Sequence, residues 1–451
     1  MSTQGVVVAL VDFRSDSDRD DSLLVGLKDT IRCIKKQVPF DELIEKIKSQ
    51  IPYLERMSLF DINMQYAQSE KLCKMIKEND LLPILKGFVD RSYDLILQRE
   101  AMMMIRNASL FEKRFFLRLL KDFGLLDKIV SLLDNNTDEV VKNAALVTLQ
   151  KAAVCNRSYI TSLGCIPRLI SMFEITKFNS AQLEEYLHLL STLTKGEDVS
   201  VTSKTLPILL VLLDTEREKR LSNKLLSYMA WIMCNISLES NEGIECLMTY
   251  PTLVHKVVAL LDESDEEILL PAVRVIGNCT SGTKEQTANI VGYDIFPKLV
   301  KLLEHENEIT RRDVCWAISN VAADNGSKIM EYNILPLVMK QFYTETTRVK
   351  REMIWILTNI VDLEEQRYVN YMVQEGYIEL LRNFMNDSCH LEVLQNWKTI
   401  MKSESSYIER MEKVGVFDKL NTLKMNDSYE ETIEEINLLY QQWQHEKSDL
   451  K

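Results

Sequence analysis

Glycine is scarce in this chain, at 13 of 451 residues, and proline is scarcer at nine. No segment sustains the alternation of apolar and polar residues that marks a half-buried strand, so hairpins and sheets have little to build on. No stretch reaches the ~18 consecutive apolar residues that a membrane-spanning helix requires. The apolar segment Gly5–Val11 has no basic residue ahead of it and meets Asp12 at once, the wrong pattern for a secretory signal. The nine cysteines, scattered from Cys33 to Cys389, are odd in number and form no C-x-x-C, so they read as small core residues of a reducing compartment. With five histidines and no H-x-x-x-H or Cys/His cluster, neither a metal nor any other cofactor is expected. The P-loop, G-x-G-x-x-G and G-x-S-x-G motifs are missing and no carboxylates pair in an acid/base arrangement, so an enzyme is not expected. Basic charge is short as well: 54 Lys and Arg stand against 67 Asp and Glu, a net charge of −13. Phosphate binding needs clustered cations, so a nucleic-acid partner is not expected, whereas an acidic chain favours basic partners. Acidity alone also serves solubility, so the charge by itself decides nothing further.

What the chain does have is a long repeat. Short helix starts of the type I/L-P-x-L-I/V-x-L-L recur at Asp41, Pro83, Asp127, Pro167, Pro207, His255, Pro297, Pro336, Glu379 and Asp418, in steps of 39 to 48 residues. That period lies in the range of two- or three-helix solenoid units. Five of the nine prolines fall at these anchors, where the first turn of a helix tolerates a missing N–H. The expected fold is an all-α solenoid of about ten units over residues 41–443, each covering its neighbour's apolar face. Residues 1–40 are expected to be a non-repeat, partly disordered segment, and 444–451 a short tail.

One line of the repeat is chemically distinctive. Trp231/Asn235, Trp316/Asn320 and Trp355/Asn359 share an i, i+4 offset, and Arg274/Asn278 stands in the gap, giving pairs 43, 42 and 39 residues apart. Each pair lies on one helix face, and the period sets equivalent helices side by side. A lone tryptophan is usually packed core, but an amide one turn later is unwelcome in a core, because a buried unpaired amide costs about 1–3 kcal/mol. Asp313 and Glu352 precede Trp316 and Trp355 by three, which adds a carboxylate to the same face. Indole faces hold the stem and charge of Lys or Arg, while amides bond a peptide's N–H and C=O. Helices packed roughly 8–10 Å apart and an extended chain advancing roughly 3.3 Å per residue give about three guest residues per unit.

The segments PAVRVIGNCTSGTKEQT (271–287), CWAISNVAADN (315–325) and IWILTNIV (354–361) closely resemble importin-α, the armadillo-repeat adaptor for nuclear localisation signals. At lower density the resemblance runs from about Asp41 to the C-terminal SYEETIEEINLLYQQW. It implies a right-handed armadillo-repeat superhelix in which the third helices of later units form a minor groove for basic peptides. By position, the peptide-binding residues would be Trp231, Asn235, Arg274, Asn278, Gly282, Thr287, Asp313, Trp316, Asn320, Glu352, Trp355 and Asn359. Gly282 would allow close backbone approach and Thr287 would offer a hydroxyl to a guest lysine.

Two departures from the family stand out. The major-groove Trp/Asn positions are Met103/Asn107, Leu146/Gln150 and His188/Thr192, and the Gly, Thr and Asp that would bind a key lysine correspond to Phe111, Phe116 and Val154. Met103 and Leu146 are expected to line what remains of an apolar groove, and His188 to be a surface residue. Residues 1–40 hold six Lys and Arg against six Asp, including the run SDSDRDD, where the family carries a basic importin-β-binding arm. The resemblance therefore implies an importin-α-like adaptor that binds basic nuclear-localisation-type peptides for nuclear import, present in cytoplasm and nucleus. Importin-β recruitment is open, and a nuclear export receptor is implied as a further partner by the last unit. The alternative is an armadillo scaffold that has lost importin-β-dependent transport and binds another protein.

Overall fold

The computed structural model describes residues 38–449, apart from 68–70, 112, 135–136, 174–177, 217–220, 239, 364, 386–389 and 423–429. The acidic run of the N-terminal segment lies outside the described residues. Among the described residues every regular element is a helix. The chain divides into two compact units, one ending at Leu193 and the other beginning at Thr194.

Ten long helices, one per repeat, set the frame. In the first unit they are α1 (Pro52–Tyr66), α2 (Leu95–Ser109), α3 (Glu139–Ser162) and α4 (Ser180–Leu193), each packed on the next. α3 is kinked at Asn156, whose backbone leaves the helical region. In the second they are α5 (Asn223–Leu238), α6 (Glu266–Thr280), α7 (Glu308–Asp324), α8 (Thr347–Asp362), α9 (His390–Ser403) and α10 (Glu430–Asp449), again packed in sequence. α10 continues six residues past position 443, where a tail was expected.

The ten anchors all fall within the first five residues of a shorter helix. Pro83, Pro207 and Pro297 take the second position of Leu82–Asp90, Leu206–Glu216 and Phe296–Leu302, where their missing N–H would have had no intrahelical acceptor. His255 sits deeper in its helix because Pro251 starts that one.

Register between neighbouring repeats is fixed at the N-termini of the long helices. Asp94 caps α2 by accepting from the N–H of Leu97 and takes Arg56 of α1 on both oxygens, at 2.8–3.0 Å. Asp138 caps α3 and takes Arg99 of α2 in the same way, and Asp265 caps α6 while accepting from Asn223 of α5 at 2.9 Å. A cap is worth about 1 kcal/mol, and joining it to the preceding helix makes one carboxylate position two elements. Between these ties the stack is closed by buried aliphatics such as Ile276, Ile318 and Ile356, each fully shielded. Burial of such a side chain contributes about 1.5–3 kcal/mol.

Candidate peptide-binding groove

Helices α5 to α8 carry the tryptophan and asparagine ladder. Trp231 and Trp316 are partly exposed and Trp355 is 42% exposed, so none of the three indoles is sealed in the core. Trp397 on α9 makes the contrast. It follows Trp355 by 42 residues and so keeps the period, but Met401 rather than Asn stands one turn on, and its side chain is fully buried. The amide partner therefore separates groove from core indoles. Trp316 lies flat because α6 has Gly277 beneath it: a Cβ there would fall 2.1 Å from Trp316 Cζ3.

The amides serve the scaffold as well as the surface. Asn278 donates to Cys234 O (3.2 Å) and Ser237 Oγ (2.9 Å), Asn320 to Gly277 O (3.2 Å), and Asn359 to Ser319 O (2.8 Å). Asn235 donates to Thr194 Oγ1 at 3.1 Å. Asn278, Asn320 and Asn359 thus each tie their helix to the one before it, a use for a shielded amide that the sequence argument did not anticipate. A carboxamide has two N–H donors and an oxygen. The bond from Asn359 to Ser319 takes one donor and leaves capacity for a peptide N–H and C=O.

The two carboxylates differ. Asp313, expected to offer its charge to a guest, is 4% exposed and already neutralised. Its Oδ2 takes Arg274 Nε at 2.8 Å and its Oδ1 takes Arg312 Nε at 2.8 Å. Arg274 also lies over Trp231, 5.6 Å from the ring centroid. The guanidinium of this chain therefore fills the slot beside Trp231 that a guest cation was expected to use. Glu352 is half-buried, and burial together with the nearby Asp313 raises its pKa against the pull of Arg312 and Arg351. Among the described residues no hydrogen bond or ion pair ends on it, so it is the carboxylate open to a cation beside Trp355.

Gly282 lies at the turn after α6 and Thr287 in the short helix that follows, and both have internal tasks. A Cβ on Gly282 would meet Gln286 Oε1 at 2.2 Å, and Gln286 forms a capping box with Thr283 at the start of helix Lys284–Val291. Thr287 is 5% exposed and donates its hydroxyl to Thr280 O at 3.0 Å.

The corresponding positions of the first unit hold no indole. Leu146 is 1% exposed and belongs to the core, so it does not line a groove; the apolar character that suggested a groove wall is what buries it. Met103 and Phe111 are half-buried, Phe116 is fully buried and Val154 is 62% exposed. Asn107 is held by Asn63 and Arg106. His188 is half-buried and bonded to Gln150, while Thr192 donates to the backbone of His188. Two acidic residues went unnoticed there. Glu100 and Glu185 precede Met103 and His188 by three, the offset of Asp313 and Glu352, and that offset would have found them. Glu100 has its pKa raised by burial and accepts from Asn63 at 2.7 Å.

No helix among the described residues is long and apolar enough to cross a membrane. Comparison with known proteins places these features in a family context. The armadillo/beta-catenin-like repeat matches residues 283–323. Importin subunit alpha-1a of Oryza sativa subsp. japonica is 25% identical over 215 residues, covering 46% of this chain and 39% of that protein. Importin subunit alpha-8 of Arabidopsis thaliana is 23% identical over 288 residues, 62% of this chain and 61% of that protein. The matched region thus spans less than two thirds of either relative. Among solved structures, an engineered protein superimposes with a TM-score of 0.75 at 18% identity, over 89% of this chain and 98% of its own, which shows the all-α fold. Repeat, relatives and fold together support an importin-α-like armadillo-repeat protein.

Proposed function

We propose that the second unit holds an extended, lysine- or arginine-bearing peptide and that the chain is an adaptor for basic nuclear-localisation-type motifs, working between cytoplasm and nucleus. The observation that carries this reading is the open Trp355 indole beside the unpaired, half-buried Glu352, one repeat from Trp316. A cationic side chain laid between the two indoles gains the attraction of their faces and the charge of Glu352 in a partly desolvated site. Asn320 and Asn359 retain hydrogen-bonding capacity for the guest backbone, which fixes its direction. The importin subunit alpha relatives support the same class of partner.

The resident Arg274 narrows the groove, because it satisfies Asp313 and covers Trp231. Guest cations are therefore taken at the Trp316–Trp355 slot rather than along the whole ladder. The test is binding of a fluorescent basic peptide to the unaltered chain and to a Trp316→Ala/Trp355→Ala variant. Loss of binding in the variant, with its melting temperature kept, supports the reading, and equal affinities dismiss it.

A second reading, an armadillo scaffold without importin-β-dependent transport, is favoured by one observation: at the ladder positions of the first unit Leu146 is buried and His188 replaces an indole. Recovery of importin-β and an export receptor with the chain from cell extract supports the adaptor. Their absence alongside a stable complex with another protein supports the scaffold. Both readings are of a binding protein, not an enzyme.

A further inference from the structure

Six large apolar side chains of the first unit lie open to solvent at matching places. Ile51 and Tyr53 stand at the start of α1, Leu95 and Ile96 at the start of α2 and Val140 at the start of α3, each 39–51% exposed. Tyr93, in the turn before α2, is 85% exposed. Ion pairs bring these three helix starts together. Arg56 of α1 meets Asp94 at 2.8 Å, Arg91 meets Glu55 at 3.0 Å, and Arg99 of α2 meets Asp138, the cap of α3, at 2.5 Å. Lys128 with Asp90 and Lys142 with Glu139 complete the set, so every charge in residues 51–56, 90–99 and 138–142 has a partner of opposite sign. The strip is therefore apolar and without net charge. The repeat itself does not demand this, because the same helix starts in the second unit hold Asn223 and Lys224, Glu266 and Glu267, and Thr347 and Arg348, with Ile309 of α7 the exception. Contiguous apolar patches of more than a few hundred Å² are uncommon on proteins that stay alone in solution.

We propose that this strip is where two copies of the chain meet, each presenting the same residues to the other. A two-fold contact needs a surface that is complementary to itself. A chain of net charge −13 repels its own copy wherever acidic residues prevail. Within the strip the carboxylates and cations cancel, which removes that repulsion and leaves apolar side chains to be covered. The area points the same way. An aromatic side chain offers roughly 150–250 Å², so six residues at these exposures present on the order of 500 Å² per copy, and a pair reaches the ~1,000 Å² of a specific interface. Tyr53 and Tyr93 suit such a contact, since each joins an apolar ring to a hydroxyl that can stay hydrogen-bonded at the edge. A basic peptide or a nucleic acid gains little from a surface whose charges are already paired. The inference does not rest on the groove in the second unit.

The test is sedimentation velocity of the full chain across micromolar concentrations, where the parent is expected to dimerise. Tyr93→Asp with Ile96→Asp adds like charges to both faces of the contact, and an acidic residue in the first turn of α2 suits the helix, so the fold is kept. That variant, with its melting temperature unchanged, is expected to weaken the dimer at least about tenfold. Tyr343→Asp, at an open tyrosine of the second unit, is expected to change it less than about twofold. Because the contact is apolar and its charges are paired, the dissociation constant is expected to vary less than about threefold between low and high salt. A photo-reactive p-benzoylphenylalanine in place of Tyr93 is expected to give a covalent dimer joined within the strip, as read by mass spectrometry. A parent that stays monomeric, a dimer that Tyr93→Asp with Ile96→Asp leaves intact, a steep salt dependence, or cross-linking only within single chains would each overturn the proposal.

Discussion

Arg274 reaches from α6 to α7 and places its Nε 2.8 Å from Oδ2 of Asp313, while its guanidinium lies over the ring of Trp231. A cation of the chain itself therefore occupies a slot made by one indole and one carboxylate.

Removing it opens that slot. Arg274→Ala leaves Asp313 with Arg312 alone and bares one face of Trp231. Affinity for a basic peptide is expected to rise about fivefold, on the order of 1 kcal/mol, as read by titration calorimetry. Unchanged or weaker binding would show that Arg274 does not compete with the guest.

Glu352 gives the groove a pH dependence. Its folded pKa is raised by burial, so its charge is lost on acidification earlier than that of an ordinary glutamate. Peptide affinity is expected to fall as pH drops through that raised value, and Glu352→Gln is expected to abolish the dependence. The stability effect has the opposite sense. A carboxylate whose folded pKa exceeds its unfolded one binds protons more tightly when folded, so stability declines as pH rises between the two values. Glu352→Gln is expected to raise the melting temperature slightly at neutral pH and not below the unfolded pKa. Parallel melts of both chains across this range check the sign.

Gly277 tests whether the lie of Trp316 matters. Alanine in mid-helix ordinarily gains up to about 1 kcal/mol over glycine, but here its Cβ would collide with the indole at 2.1 Å. Overpacking of this kind costs about 1–3 kcal/mol, so Gly277→Ala is expected to lower stability and weaken peptide binding together. A stabilised variant with full affinity would show that Trp316 can lie elsewhere at no cost.

Trp355 and Trp397 are expected to part company. Trp397→Ala removes a fully buried side chain and should cost about 3–5 kcal/mol of stability. Trp355→Ala should cost little stability and most of the basic-peptide affinity. Denaturant melts and binding isotherms on the two variants check both halves.

The helical frame was legible because prolines at short helix starts and a period near 42 residues are local signals. Pro83, Pro207 and Pro297 mark helix starts whatever the neighbours do. The ladder was legible because an i, i+4 pair repeated on successive helices is a pattern of faces. What spacing could not show was which groups were already engaged. Arg274 lies 39 residues before Asp313, and only the packing of α6 on α7 reveals that one neutralises the other. The amides of Asn278 and Asn320 reach the preceding helix for the same reason. Leu146 and Trp397 keep the register of the ladder yet point into the core, and periodicity alone does not distinguish them from Met103 and Trp355.

The most direct test of the account follows the indoles themselves. With 5-fluorotryptophan incorporated and each resonance assigned by single substitution, a lysine-rich peptide is titrated into the chain and fluorine NMR is recorded. The signals of Trp316 and Trp355 are expected to shift in step with binding while Trp397 stays in place. Saturable binding that leaves Trp316 and Trp355 unmoved would contradict the claim that these side chains grip the strand.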